Sequence, residues 1–154
     1  MARKLVQKSI SIQAPADRIW RVITDAQYNS IWLTALGKRS IAHTDWQEGS
    51  KAIFVDGSQT GLITRIGEVR PFEKIRMQNV GIITNGKEDY TSDAAVESRE
   101  FFEQYLLTPE NGSVRMQVEV TVEDDFYNGV SDCWVNALEM IKKLAESQAP
   151  AGMP

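Results

Sequence analysis

Few side chains in this sequence are suited to chemistry, and their types narrow what that chemistry could be. The 154 residues hold one histidine, His43, and one cysteine, Cys133. A single imidazole excludes any site built on two histidines. A single thiol excludes an intrachain disulfide or a cysteine-rich metal centre. His43 could act as a general base only with an orienting partner and a place facing a cavity; a surface or strand-end histidine is the plainer reading. Cys133 stands beside Trp134 in an apolar-striped segment, where a buried structural thiol is the default. Glu123-Asp124-Asp125 could pass for metal ligands, but consecutive residues point in different directions, and a helix start explains them. Glu103 offers more. If Val114, Met116 and Val118 face inward, a hairpin through residues 109–112 brings Phe101, Glu103, Tyr105 and Leu107 inward too. A carboxyl group in apolar surroundings must be paired, protonated, or bonded to Tyr105 or a ligand. Glu103 and Tyr105 are therefore expected at the polar end of a pocket. A register shifted by one would instead leave Glu103 in water.

The elements that must position these residues are legible in the patterning. Residues 4–13 read as a strand with Val6, Lys8, Ile10 and Ile12 on one face. Pro15 fits the first helical position, where its missing N–H is no loss. Ala16, Ile19, Trp20 and Ile23 then recur at helical spacing. Asp25 is a candidate cap for a second short helix ending near Trp32. Strands follow at 36–44, 51–56, 60–70 and 74–80, with Asp56-Gly57-Ser58 as a hairpin signal. Residues 81–97 are polar and weakly patterned and read as a long loop. Residues 98–107 form another strand. Residues 113–122 alternate without exception: Val114, Met116, Val118, Val120 and Val122 against Ser113, Arg115, Gln117, Glu119 and Thr121. One buried and one wet face is the mark of an antiparallel sheet. A long amphipathic helix over 126–146, with Trp134, Leu138 and Ile141 in its stripe, closes the chain.

With 42% hydrophobic and 25% charged residues and a net charge of −4, the composition is that of a globular domain. Residues 1–147 read as one domain and 148–154 as a C-terminal tail. The acidic balance leaves no basic excess for a nucleic-acid partner. No window approaches the ~20 apolar residues of a membrane span, and the start lacks the apolar core of a signal peptide, so a cytoplasmic location is expected. Gly57, Gly61 and Gly67 lack phosphate-loop spacing, and no cofactor is expected.

The order of elements points to an α+β architecture: a curved antiparallel sheet wrapped around a long C-terminal helix, with two short helices after the first strand. One helix ~10–12 Å wide cannot fill the hollow of a wide twisted sheet. The remaining space is either closed by the short helices or left as a cavity. The chain resembles the START-like (SRPBCC, Bet v 1-like) superfamily, in the branch of the activator of heat-shock protein 90 ATPase homologues. The resemblance is carried by Ala14-Pro15-Ala16-Asp17-Arg18-Ile19-Trp20 through Asp25 and Trp32, by Gly61 to Pro71 followed by Ile75, by Asn85-Gly86-Lys87-Glu88-Asp89, by Phe102-Glu103-Gln104-Tyr105 with 108–112, and by Trp134, Leu138 and Leu144. It implies a helix-grip fold with a hydrophobic cavity, but no particular reaction.

The first functional expectation is a non-catalytic protein that holds a small hydrophobic or amphipathic molecule between the last helix and the sheet. Trp32, Phe54, Met77, Phe101, Tyr105, Met116, Val118, Trp134, Leu138 and Ile141 would supply the apolar walls. Asn79 and Glu103 would supply the polar contacts, and the helices near Trp32 with residues 81–97 would form a gate. No catalytic residue or metal ligand is assigned. The alternatives are an interaction module like the chaperone-ATPase activators, with a chaperone as partner, and a cyclase- or hydrolase-like enzyme using Glu103 or His43.

Overall fold

A computed structural model describes residues 2–147, except for the side chains of Lys38 and Arg39. The expected tail at 148–154 lies outside the described residues. In chain order the elements are β1 (Arg3–Ile12), α1 (Ala16–Thr24), α2 (Ala26–Trp32), a 3-10 stretch (Leu33–Arg39), β2 (Ile41–His43), β3 (Lys51–Val55), β4 (Gly61–Arg70), β5 (Lys74–Thr84), β6 (Lys87–Asp89), α3 (Asp93–Ser98), β7 (Phe102–Glu110), β8 (Ser113–Glu123), a 3-10 turn (Asp124–Phe126) and α4 (Tyr127–Ser147). The described strands form one sheet in the order β1-β8-β7-β5-β4-β3-β2, with β6 paired to β5. Every pairing is antiparallel. Residues 51–123 thus fold as a meander, and only the β1–β8 pairing joins distant ends of the chain.

Register follows from alternation. On β8, Val114, Met116, Val118, Val120 and Val122 are buried, and the partners Ile12, Ile10 and Val6 on β1 stand opposite Val114, Met116 and Val120. On the other side, Tyr105 faces Val118 and Glu103 faces Val120. Shifts in the β4–β5 register at Ile63/Thr64 and Ile66/Glu68 leave Val80 of β5 and Gly67 of β4 as extra residues, which bends the sheet. At the β3–β4 turn a Cβ on Gly61 would lie 2.0 Å from the Phe54 carbonyl oxygen, so only glycine lets the strands approach this closely.

The helices fill the concave side. The Pro15 carbonyl accepts from the Arg18 and Ile19 amides at 3.1 and 3.2 Å. Pro15 therefore sits at the cap, one residue before the position that the sequence suggested. Asp25 caps α2 as expected, its Oδ1 accepting from the Gln27 amide at 2.9 Å. Trp32 is fully buried, and its indole N–H donates to the Val22 carbonyl at 2.8 Å. Its ring lies 6.4 Å from Tyr105 on β7 and 6.0 Å from Trp134 on α4, and the latter two are 5.6 Å apart. Three large rings from three elements thus occupy the middle of the hollow, in the tilted and edge-to-face arrangements that aromatic quadrupoles favour. Val6, Ile12, Met116, Val118, Leu138 and Ile141 continue this core. The assembly is a helix-grip fold.

Three segments depart from the sequence reading. Residues 36–44 are not one strand: Leu33–Arg39 curls against α4, Gly37 takes φ 65°, and only Ile41–His43 pairs with β3. Residues 81–97 are not a loop. β5 runs on to Thr84, turns at Asn85 and Gly86 with φ 50° and 81°, returns as β6, and leads into α3. Asp124 lies in the 3-10 turn and pairs with Lys4 at 3.0 Å.

The entry to α3 is fixed by one carboxylate. Asp89 Oδ1 accepts from the Thr91 and Ser92 amides, both at 3.1 Å, and Oδ2 accepts from the Ser92 hydroxyl at 2.6 Å. The Ser92 hydroxyl first, then the two amides, hold the Asp89 carboxyl below its ordinary value. Because the folded value is depressed, this anchor is complete above the free aspartate value of about 3.9 and is lost as pH falls through the folded value. Asp89→Asn is accordingly expected to speed amide exchange across residues 92–98 while leaving β8 protected, and acidification of the native chain below about pH 3.9 is expected to do the same. Unchanged exchange in that segment would contradict the anchoring role. Gly61→Ala is expected to lower stability in urea by about 1–3 kcal/mol through overpacking at the β3–β4 turn; an unchanged midpoint would contradict the close approach.

Candidate functional site

The hollow is closed in its middle but open at the end where α4 begins. A cleft of about 340 Å³ lies there, at the small end of the range for ligand pockets. Leu62 on β4, Ile82 on β5, Val120 and Val122 on β8, Phe101 before β7, Ala94 on α3, Phe126 in the 3-10 turn and Val130 in the first turn of α4 give it apolar walls. A second cavity of about 350 Å³ runs along the neighbouring side of α4, lined by Leu36, Gly129, Cys133 and Trp134. Phe126 and Val130 line both cavities, and Phe126 is 59% exposed. Together the two hollows form a bent apolar groove around the first turns of α4.

Polar groups enter the cleft at defined points. β5 and β7 are paired so that Met77 stands opposite Glu103, and the Asn79 amide donates to the Phe101 carbonyl at 3.0 Å. Period-two alternation then puts Asn79 and Glu103 on the same inner face. Glu103 is buried, and the Tyr105 hydroxyl donates to its Oε2 at 2.5 Å. This short contact fixes the carboxyl rotamer. Ser98 donates to the Ala95 carbonyl at 2.6 Å, and Thr121 Oγ1 accepts from the Phe102 amide at 2.8 Å, so both hydroxyls are engaged. Asn79 differs. It is 9% exposed, it lines the cleft, and its carboxamide makes no hydrogen bond to another described residue. An amide so buried and unpaired costs about 1–3 kcal/mol.

Of the residues singled out from the sequence, Asn79, Phe101 and Glu103 line the cleft, and Trp134 lines the adjoining hollow. Trp32, Phe54, Met77, Tyr105, Met116, Val118, Leu138 and Ile141 lie in the packed core. Tyr105 reaches the cleft only through its hydroxyl on Glu103. His43 is exposed on β2 and lines none of the cavities described here, so the cleft holds no imidazole. Cys133 is partly buried on the α4 side of the second hollow. The sequence reading missed Leu62, Ile82, Ala94, Val120, Val122, Phe126 and Val130. Ala94 lay in the segment read as loop, and the others carried no mark to distinguish them from core. Among the described residues no group of three His, Cys, Asp or Glu could hold a metal ion, and no helix is long and apolar enough to cross a membrane.

Tyr105→Phe removes the hydroxyl donor to a buried carboxyl group. It is expected to cost about 1–3 kcal/mol in equilibrium denaturation. A loss within the ±0.5 kcal/mol typical of surface substitutions would show that the contact carries no weight.

The geometry can be compared with known proteins. The sequence pattern of the family described as Activator of Hsp90 ATPase homolog 1-like protein matches residues 13–146. No curated protein matches the sequence. Similar solved structures include protein MLL2253 from Mesorhizobium loti, with a TM-score of 0.72, 14% identity, and coverage of 96% of this chain and 100% of that one. The Aha1 dimer from Colwellia psychrerythraea gives a TM-score of 0.66, 14% identity, and coverage of 96% and 98%. DynU16, a protein in the dynemicin biosynthetic locus, gives a TM-score of 0.67, 14% identity and coverage of 93% of this chain; the present chain spans about half of its length, 47%. Identities this low speak for the fold alone. The sequence match over 13–146 and the helix-grip architecture agree, and the chain belongs to the activator of Hsp90 ATPase homolog 1-like family of the START-like superfamily.

Proposed function

We infer that this domain binds a small hydrophobic or amphipathic molecule, held end-on in the cleft beside the first turns of α4 rather than along the whole helix. The apolar body would rest on Val120, Val122, Phe126 and Val130, and the polar end would meet Asn79 and Glu103. The observation that carries this reading is the Asn79 carboxamide. Natural folds rarely leave a buried amide unpaired, and a ligand group that completes its hydrogen bonds recovers the cost of leaving them unmade. An apolar wall and a few convergent polar groups form the usual composition of a small-molecule site. The second hollow past Phe126 gives a longer molecule somewhere to continue. α3 borders the cleft, is entered through the Asp89 and Ser92 contacts and packs on β5 through Ala95, and it is the short element placed to adjust when a ligand enters.

Val130 lines both hollows, so Val130→Trp is expected to fill the groove. Binding of the neutral dye Nile red, followed by fluorescence, should weaken at least about tenfold, equivalent to about 1.4 kcal/mol. The circular dichroism spectrum should remain native. Nile red binding unchanged in this variant would contradict the cleft as the binding place.

A further inference from the structure

The ionisable groups that line the cleft are Glu97, Glu103 and Glu123, and no lysine, arginine or histidine joins them. Such a cluster would mean little on an open surface. Here it borders an apolar cavity into which the carboxamide of Asn79, a residue nine-tenths buried, projects without a partner among the described residues. The nearby cations are committed elsewhere. Arg3 stands opposite Glu123 in the β1–β8 ladder and donates to the Glu100 carbonyl at 3.2 Å; it lines a smaller adjoining hollow with Glu97, Glu100, Phe101 and Glu123. Arg76 stacks on the Phe102 ring at 4.0 Å and donates to Gln104. The remaining group at the buried end, the Tyr105 hydroxyl, donates to Glu103.

We propose that the cleft selects an apolar amine: a molecule with a hydrocarbon body and a single ammonium group, the ammonium seated between Glu103 and the Asn79 side-chain oxygen. This rests on the binding reading above and deepens it by naming the ligand class. An ammonium has three donors and no acceptor, which suits a site offering a carboxyl group and an amide oxygen. Its Coulomb attraction to acidic side chains is strongest where apolar walls exclude water. A fatty carboxylate of the same length would meet Glu103 at the buried end with no cation in the cleft lining, the nearest, Arg3, lying in the adjoining hollow. The same side chains therefore reject one ligand class and attract the other.

The test compares octylamine, octanol and octanoate by isothermal titration at neutral pH, on the native chain and on Glu103→Gln and Glu97→Gln. Glu97 is exposed on α3, so its variant should fold even if the buried one does not. Octylamine is expected to bind at least about tenfold tighter than octanoate, with octanol between them. Each glutamine variant should shrink the gap between amine and alcohol while leaving octanol affinity in place. Octanol binding with no preference for the amine, or a preference that neither variant changes, overturns this inference alone. Failure of all three probes to bind removes it together with the cleft reading.

Discussion

Trp32, Tyr105 and Trp134 meet at centroid distances of 5.6–6.4 Å, and what these three rings fill decides what the rest of the fold leaves open. A single helix laid over a bent sheet leaves more volume than its own side chains can occupy, and protein interiors do not tolerate such space empty unless something is gained from it. Here α2 and the following 3-10 stretch carry Trp32 and Leu33 into the hollow, fully buried. The space that remains is displaced to the end of the sheet where α4 begins. The cleft is therefore a product of core packing: Glu103, held by the Tyr105 hydroxyl, stands between it and the aromatic cluster, and α3 lends Ala94, Glu97 and Ser98 to its lining.

The polar end of the cleft inherits its order from the same cluster. Tyr105 belongs to the ring packing through its face and to the site through its hydroxyl, which holds Glu103 at 2.5 Å. Ring position and carboxyl position are thus coupled through one residue. The Asn79 carboxamide, on the paired strand, has no such tie to another described residue. A site with one fixed polar group and one amide still lacking a partner is preorganised in part, and binding can complete it at little entropic cost.

Much of this was legible in the sequence, for local reasons. The unbroken alternation of 113–122 marked the buried face of β8, and of the two registers left open for the hairpin from it, the structure adopts the one that carries Glu103 and Tyr105 inward. Asp25 announced the cap it makes. The stripe of Trp134, Leu138 and Ile141 announced the buried face of α4. Asn79 was named only as a polar contact beside Glu103; the structure adds that it follows Ile75 and Met77 on the inner face of β5. Where the reading went astray, distant contacts had the deciding voice. Gly81 looked like the end of a strand, yet it is glycine because Asp89 and Tyr90 return against it, with a Cβ there only 2.7 Å from the Asp89 carbonyl oxygen. Asn85-Gly86 just beyond is a strong two-residue hairpin signal, passed over because the strand leading into it had been cut short. Leu33–Arg39 curls rather than extends because it packs on α4, a partner about a hundred residues away. Which apolar residues seal the core and which line an opening depends on how three rings from separate elements interlock, and no periodicity records that.

The central claim is that a ligand enters at the α4 end, against Asn79, and leaves the ring cluster undisturbed. Side-chain resonances in a proton–nitrogen correlation spectrum, followed as octanol is added, report both places at once. The account predicts that the Asn79 carboxamide signals and the backbone amide of Val130 move, while the Trp32 indole N–H, bound to the Val22 carbonyl, stays in place. Movement of the Trp32 indole with the Asn79 carboxamide unaffected would mean that the ligand opens the core instead, and would contradict it.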